Sequence, residues 1–282
     1  MLLAIGCAPE EQAPGSGGNA DGGGGNGGDS ASCAVDDLET MKPGTLTIGT
    51  DKPAYEPWFV GDDPSNGKGF ESAVAYAVAE EMGFAKDDVK WAHVRFNAAI
   101  QPGEKNFDFD INQFSITPQR QKVVDFSEPY YDVTQAVITV RGSELADTTS
   151  LQDLAEAELG AQVNTSSFDA ITNVIQPDTR PRPFNTNNDA RQALQNGTIE
   201  ALVVDLPTAY YMVDAQMDDG TILGQLPPDE QGTPEQFGLL LDKGSPLTDC
   251  VNDAVGKLRE DGTLDELADR WLNEATDAPE LS

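Results

Sequence analysis

Residues 115–131, SITPQRQKVVDFSEPYY, set one arginine, Arg120, on a short polar turn between an apolar strand and the run Val123, Val124 and Phe126. The chain carries only 17 Lys+Arg against 49 Asp+Glu, so a guanidinium set among hydroxyls and aromatics calls for an explanation. Its planar five-donor fork matches a carboxylate better than a lysine would. Arg120 therefore reads either as a clamp for an anion or as a surface arginine paired with one of the many acids.

Outward from this stretch, strand and helix alternate. Upstream, TLTIGTD (45–51) is alternating and β-branched, as a strand is, and an aromatic loop with Pro53, Tyr55, Pro57, Trp58 and Phe59 follows it. Residues 67–84 place Phe70, Ala73, Val74, Ala77 and Val78 on one helical face, and residues 89–94 form the next strand. Residues 133–140 give another strand. A second cycle then begins: a short helix at 151–155, a strand at 159–163, and a polar turn, Asn164 to Ser167, into a helix at 168–175. Such a turn offers free backbone N–H groups at a helix N-terminus, a seat for an anion. A small strand (182–184) and a helix (188–196) lead to the buried strand IEALVVD (199–205), followed at once by a helix at 207–213. Asp205 thus ends a strand at the edge where open α/β sheets bind ligands, or else it caps the following helix. QFGLLLD (236–242) could return to the first sheet, and helices at 247–258 and 264–272 close the chain, with Trp271 toward the core. The alternation is that of an α/β fold, and 282 residues suffice for two medium domains.

A net charge of -32 argues against nucleic acid and anionic membrane surfaces as partners. No run of eighteen apolar residues exists to span a bilayer. Residues 1–6 are apolar and end at Cys7, like the end of a lipoprotein signal. The basic region and most of the apolar segment are missing, so the numbered start reads as truncated or misplaced. Residues 8–32 hold almost nothing to bury and read as a flexible tether, on the order of 25–30 Å in root-mean-square span. If Cys7 carries lipid, Cys33 and Cys250 are left to pair in an oxidising compartment, the alternative being two buried thiols.

The order TLTIGTD, aromatic-Pro loop, GFESAVAYAVAEEMGF, SITPQRQKVVDFSEPYY, LGAQVNTS and VVDLPTAYY resembles the extracellular solute-binding proteins of amino-acid ABC importers, family 3, over about residues 44–272. The resemblance implies a type II periplasmic-binding-protein-like fold, α/β and bilobal, with a two-segment hinge. Lobe 1 is expected at 33–140 and 235–282 and lobe 2 at 141–234, after a signal remnant (1–6) and the tether (7–32). It implies closure over a free amino acid, with Arg120 on the α-carboxylate and Ser115 and Thr117 adding contacts from the same loop. Thr165 and Ser166 complete the carboxylate site and Asp205 takes the α-ammonium. Tyr55 and Phe96 flank the side chain, with Asp51, Trp58 and Gln113 also lining its pocket. Two departures stand out: Asn164 where the family often has glycine, and Gln162 where some members carry a cation. The implied protein is a monomer, lipid-anchored through Cys7 on the extracellular face of the membrane, and delivers its ligand to ABC permease subunits.

The chemistry of a zwitterion fits these residues independently, since one fixed cation and one fixed anion must face each other across the ligand. Two other classes remain. Dehydratases of the prephenate or arogenate type resemble this fold and need an acid with a shifted pKa. A sensor domain would present bound amino acid to a signalling partner. The sequence shows no nucleophile motif and no metal-ligand cluster, and its single histidine, His93, falls in an expected strand, so it is read as a non-enzyme without cofactor or metal.

Overall fold

The computed structural model describes residues 33–228, 234–272 and 278–282. Cys7 and the expected signal remnant and tether lie outside the described residues. In chain order the first elements are β1 (Leu46–Thr50), α1 (Phe70–Glu81), β2 (Val89–His93), α2 (Phe96–Ala99), β3 (Phe109–Asp110) and β4 (Val124–Val133). The second cycle holds β5 (Gln135–Val140), α3 (Leu151–Ala155), β6 (Leu159–Gln162), α4 (Ser166–Ala170), β7 (Arg182–Phe184), α5 (Asn187–Gln195), β8 (Ala201–Asp205), α6 (Leu206–Tyr211) and β9 (Gly220–Gln225). The return is β10 (Glu235–Asp242), α7 (Thr248–Glu260) and α8 (Thr263–Leu272).

Two five-stranded mixed sheets result, ordered β2-β1-β3-β10-β4 and β7-β6-β8-β5-β9. In the first, β1 runs parallel to β2 and β3 while β10 is antiparallel to β3 and β4. In the second, β6 is parallel to β7 and β8, and β5 is antiparallel to β8 and β9. This is the expected bilobal α/β fold.

The expected change of lobe at residue 140 moves to Thr134, because β5 hydrogen-bonds between β8 and β9. Its QAVITV run is apolar on both faces, and Val137 and Ile138 pack into different cores of the second sheet. A strand buried on both faces belongs inside a sheet covered by helices on each side. β8 shows the same two-sided pattern, with Ala201 and Val203 in one core and Leu202 and Val204 in the other.

The chain end also departs from expectation. Residues 278–282, assigned from sequence to lobe 1, lie on the second sheet, where Glu280 bridges Gln225 and Leu281 is buried. Gly224 makes room for them, since a Cβ there would lie 2.4 Å from the Pro279 carbonyl oxygen. At the other end, the segment carrying Val35 and Leu38 packs on the first core, and Cys33 is joined to Cys250 of α7 with a Cα separation of 5.5 Å. β9, which the sequence reading passed over, is a six-residue strand that begins at Gly220 and contains Gly224.

Candidate ligand-binding site

Arg120 opens a single 3-10 turn after the loop 115–119 and is only 9% exposed. Its backbone N–H donates to Thr117 Oγ1 at 3.2 Å, which fixes the turn. Its guanidinium donates to the Ser115 carbonyl and, from the opposite lobe, to the Asn164 carbonyl, both at 2.8 Å. Phe96 lies beneath it, ring centroid 5.5 Å from the guanidinium carbon, and is itself stacked on Phe114. Burial lowers the Arg120 pKa, opposed by Glu235, Asp169 and Asp205, and the group stays cationic at neutral pH. None of the ion pairs among the described residues involves Arg120. The reading of a paired surface arginine is thereby set aside.

Asn164 has φ 64, a left-handed conformation that asparagine tolerates better than most residues. That explains how it stands where the family often has glycine, and it turns the carbonyl toward Arg120. Thr165 then caps α4: its hydroxyl accepts from Phe168 N at 3.2 Å and donates to Gln162 O at 2.7 Å. Its side chain is thus committed to the turn.

Asp205 stands at the N-cap of α6 but makes no side-chain cap bond. It faces Gln135, its register partner on β5, whose Nε2 donates to Asp205 Oδ1 at 2.8 Å and to Glu235 Oε2 at 2.9 Å. Ser115 Oγ lies 2.6 Å from the other Glu235 oxygen, to which its proton goes, and 3.0 Å from Ser166 Oγ. Two carboxylates thus share one amide, and neither has an ion-pair partner among the described residues. Burial first, and Glu235 second, push the Asp205 pKa up to about 8. An acid pair of this kind favours the arrival of a cation.

One cavity between the two sheets is lined by Arg120, Asp205, Ser115, Thr165, Ser166, Tyr55, Phe96, Asp51 and Gln113. Thr117 and Trp58 are not on its wall. Thr117 acts on the Arg120 backbone, whereas Trp58 is 0% exposed, packed against Phe70, Tyr131 and Phe237, and bonded through Nε1 to Thr208 Oγ1 across the lobes at 2.9 Å. An indole of that size is more stable in the core, provided its N–H finds a partner. Asp51 accepts from Phe96 N at 3.0 Å and from Lys52 N at 2.6 Å, with His93 Nε2 at 3.3 Å, so it ties the aromatic loop to α2. Asn112, Gln162, Thr186 and Asn187 also line the cavity. Gln135 and Glu235 were missed from sequence, because Gln135 meets Asp205 only through the pairing of β5 with β8, and Glu235, which opens β10 beside Val133 of β4, only where the two sheets meet.

The family described as bacterial extracellular solute-binding proteins, family 3, matches residues 46–274. This chain belongs to that family. Among similar relatives of this solute-binding protein is the L-cystine-binding protein TcyJ of Escherichia coli (strain K12), 30% identical over 235 residues, 81% of this chain and 83% of that one. The glutamine-binding protein GlnH of Bacillus subtilis (strain 168) is 26% identical, covering 75% and 76% respectively. Among solved structures, an ancestral amino acid-binding protein described as a precursor of cyclohexadienyl dehydratase superposes with a TM-score of 0.67 at 30% identity, over 82% of this chain and 96% of that one. An ancestral arginine-binding protein bound to arginine also gives 0.67, at 28% identity, over 81% and 98%. Solute binding by this protein follows from its family.

Proposed function

We propose that the protein binds a free α-amino acid as its zwitterion between the lobes and hands it to the permease of an ABC importer. Arg120 takes the α-carboxylate and Asp205 the α-ammonium, while Tyr55, Phe96 and Gln113 meet the side chain. Ser115, Ser166 and the N-terminal turn of α4 complete the carboxylate end. The observation that carries this reading is a buried guanidinium that shares one cavity with the Asp205 carboxyl, neither of them in an ion pair among the described residues. Ligand bridging the two would favour the closed arrangement, in which Arg120 already reaches Asn164. The passage of chain at Thr134 serves as one strand of the hinge, and the second expected crossing, at 227–234, falls largely outside the described residues. A lipid on Cys7 would hold the monomeric protein at the extracellular face of the membrane.

The relatives' names, cystine, glutamine and arginine among them, point to amino acids with polar side chains. A thermal-shift screen of the twenty amino acids and cystine should find a ligand, since ligand at 100 times its Kd stabilises by about 2.7 kcal/mol. In calorimetry Arg120→Ala should abolish binding of that ligand with the circular dichroism spectrum intact; micromolar binding by the variant would remove the clamp. The raised Asp205 pKa is also what a dehydratase acid would need. Incubation with prephenate and arogenate separates the two readings, and turnover would favour the enzyme.

A further inference from the structure

Glu71, the second residue of α1, is 0% exposed and lies outside the cavity wall, yet it governs one residue on that wall. One of its oxygens accepts the backbone N–H of Gln113 at 2.7 Å and the hydroxyl of Tyr130; the other accepts Gln113 Nε2. Gln113 adopts φ 49, a left-handed conformation in which its main chain and its side chain both reach the same carboxyl. A carboxylate can only accept, so the amide of Gln113 must turn its nitrogen toward Glu71. Gln113 Oε1 then has no donor among the described residues and belongs to a side chain that lines the cavity with Tyr55 and Phe96.

We propose that Glu71 is a positioning residue that sets ligand specificity: by holding the nitrogen of the Gln113 amide, it presents the carbonyl oxygen to the ligand and selects amino acids whose side chains end in N–H donors. The inference rests on the reading of this cavity as an amino-acid site. Asp51 on the same wall is partly engaged, accepting Phe96 N and Lys52 N, whereas Gln113 Oε1 accepts from no group among the described residues and is free to take an incoming donor. A side-chain carboxylate would meet that oxygen with like polarity and lose affinity, as a site built for a donor rejects ligands lacking one.

Glutamine and glutamate are nearly isosteric but differ in charge as well as in this donor, so the change in their Kd ratio between wild type and variant, measured by calorimetry on the full chain, reads the device. Glutamine, histidine, arginine and lysine serve as N–H-ended probes, glutamate as the counter-probe, and alanine as the probe for the backbone contacts. At pH 8 at least one N–H-ended probe should bind ten-fold or more tightly than glutamate. In Glu71→Gln the new amide can donate to Gln113 Oε1 and turn Nε2 to the ligand. The preference should then fall below three-fold while alanine affinity stays within three-fold. Lowering the pH below about 7, where Glu71 gains a proton, should erode the preference in the wild type and not in the variant. The other ionisable groups around Glu71 are Tyr130, Asp110 and Asp205. Asp205 acts on the ammonium common to all probes and cancels in the ratio. Should Glu71→Gln fail to fold, Gln113→Leu removes the acceptor directly and should flatten the ranking in the same way. Glutamate binding as tightly as every N–H-ended probe, or a ranking unchanged in Glu71→Gln or in its substitute, overturns the proposal. If Arg120→Ala leaves alanine binding untouched, it is the site reading that has failed.

Discussion

Burial and the nearby Glu235 push the Asp205 pKa up, so the Asp205–Glu235 pair holds a proton well above the usual carboxylate range before ligand arrives. An ammonium prefers the ionised form, and its binding must expel the proton. Affinity should therefore rise with pH from neutrality towards 8, and calorimetry at pH 7 in two buffers of different ionisation enthalpy should report proton release; none would count against Asp205 as the ammonium acceptor. Asp205→Asn should weaken binding by about 1.5–3 kcal/mol, and a desamino analogue should lose less. Glu71 gives a complementary signal in stability. Burial lifts its pKa from 4.5 to about 7, so between those values the folded state holds a proton that the unfolded state has lost. That stabilisation is complete below pH 4.5, falls as pH rises through about 7, and is absent above, on the order of 3 kcal/mol in all. Urea unfolding of wild type and Glu71→Gln at pH 5 and 8 should show a smaller decline in the variant.

Elements differ in what they reveal on inspection. In α1 the apolar positions predict a face through Phe70, Ala73, Val74, Ala77 and Val78, and the buried set is Phe70, Glu71, Ser72, Val74, Ala75, Val78 and Ala79. The helix is where it was expected but rotated, because Glu71 finds three donors inside and Ser72 Oγ donates to the Pro64 carbonyl at 2.7 Å. Hydrophobic periodicity counts apolar residues and is blind to polar ones that are satisfied in the core. β9 escaped because its glycines weaken the strand signal, and Gly224 is needed for contact rather than conformation. Gly224→Ala should push against the Pro279 carbonyl and destabilise the protein by about 1–3 kcal/mol in thermal unfolding; an unchanged Tm would mean that the chain end is not held there.

On the scale of the molecule, a 217-residue separation is closed by one disulfide between the first described residue and α7. In the chain-entropy model this restricts the unfolded state by about 5 kcal/mol, so Cys33→Ser with Cys250→Ser should lower Tm markedly. Thiol counting on denatured, unreduced protein lacking Cys7 should find none. The lobes are joined by contacts of a different kind. Arg120 to Asn164, Asn97 to Asn164 and Trp58 to Thr208 are single polar bonds across the cleft, the last of them buried.

The two-lobed α/β fold was legible because strand and helix periodicities alternate with turn residues between them, and these are local properties of the chain. Arg120 and Asp205 could be named as candidates from a polar turn and a strand end, while Ser115, Tyr55 and Phe96 were named through the family resemblance. What the chain order cannot carry is which side chains meet across β-sheet register and across the cleft. Gln135 and Glu235 reach Asp205 only because β5 pairs with β8 in the second sheet and β10 begins beside it. Trp58 joined the core because the tertiary packing supplied Thr208 for its N–H. Glu71 became the holder of Gln113 for the same reason: burial of a carboxyl depends on donors 42 and 59 residues away in sequence. Local pattern thus determined the elements and the charged anchors, while long-range packing alone decided what each anchor faces.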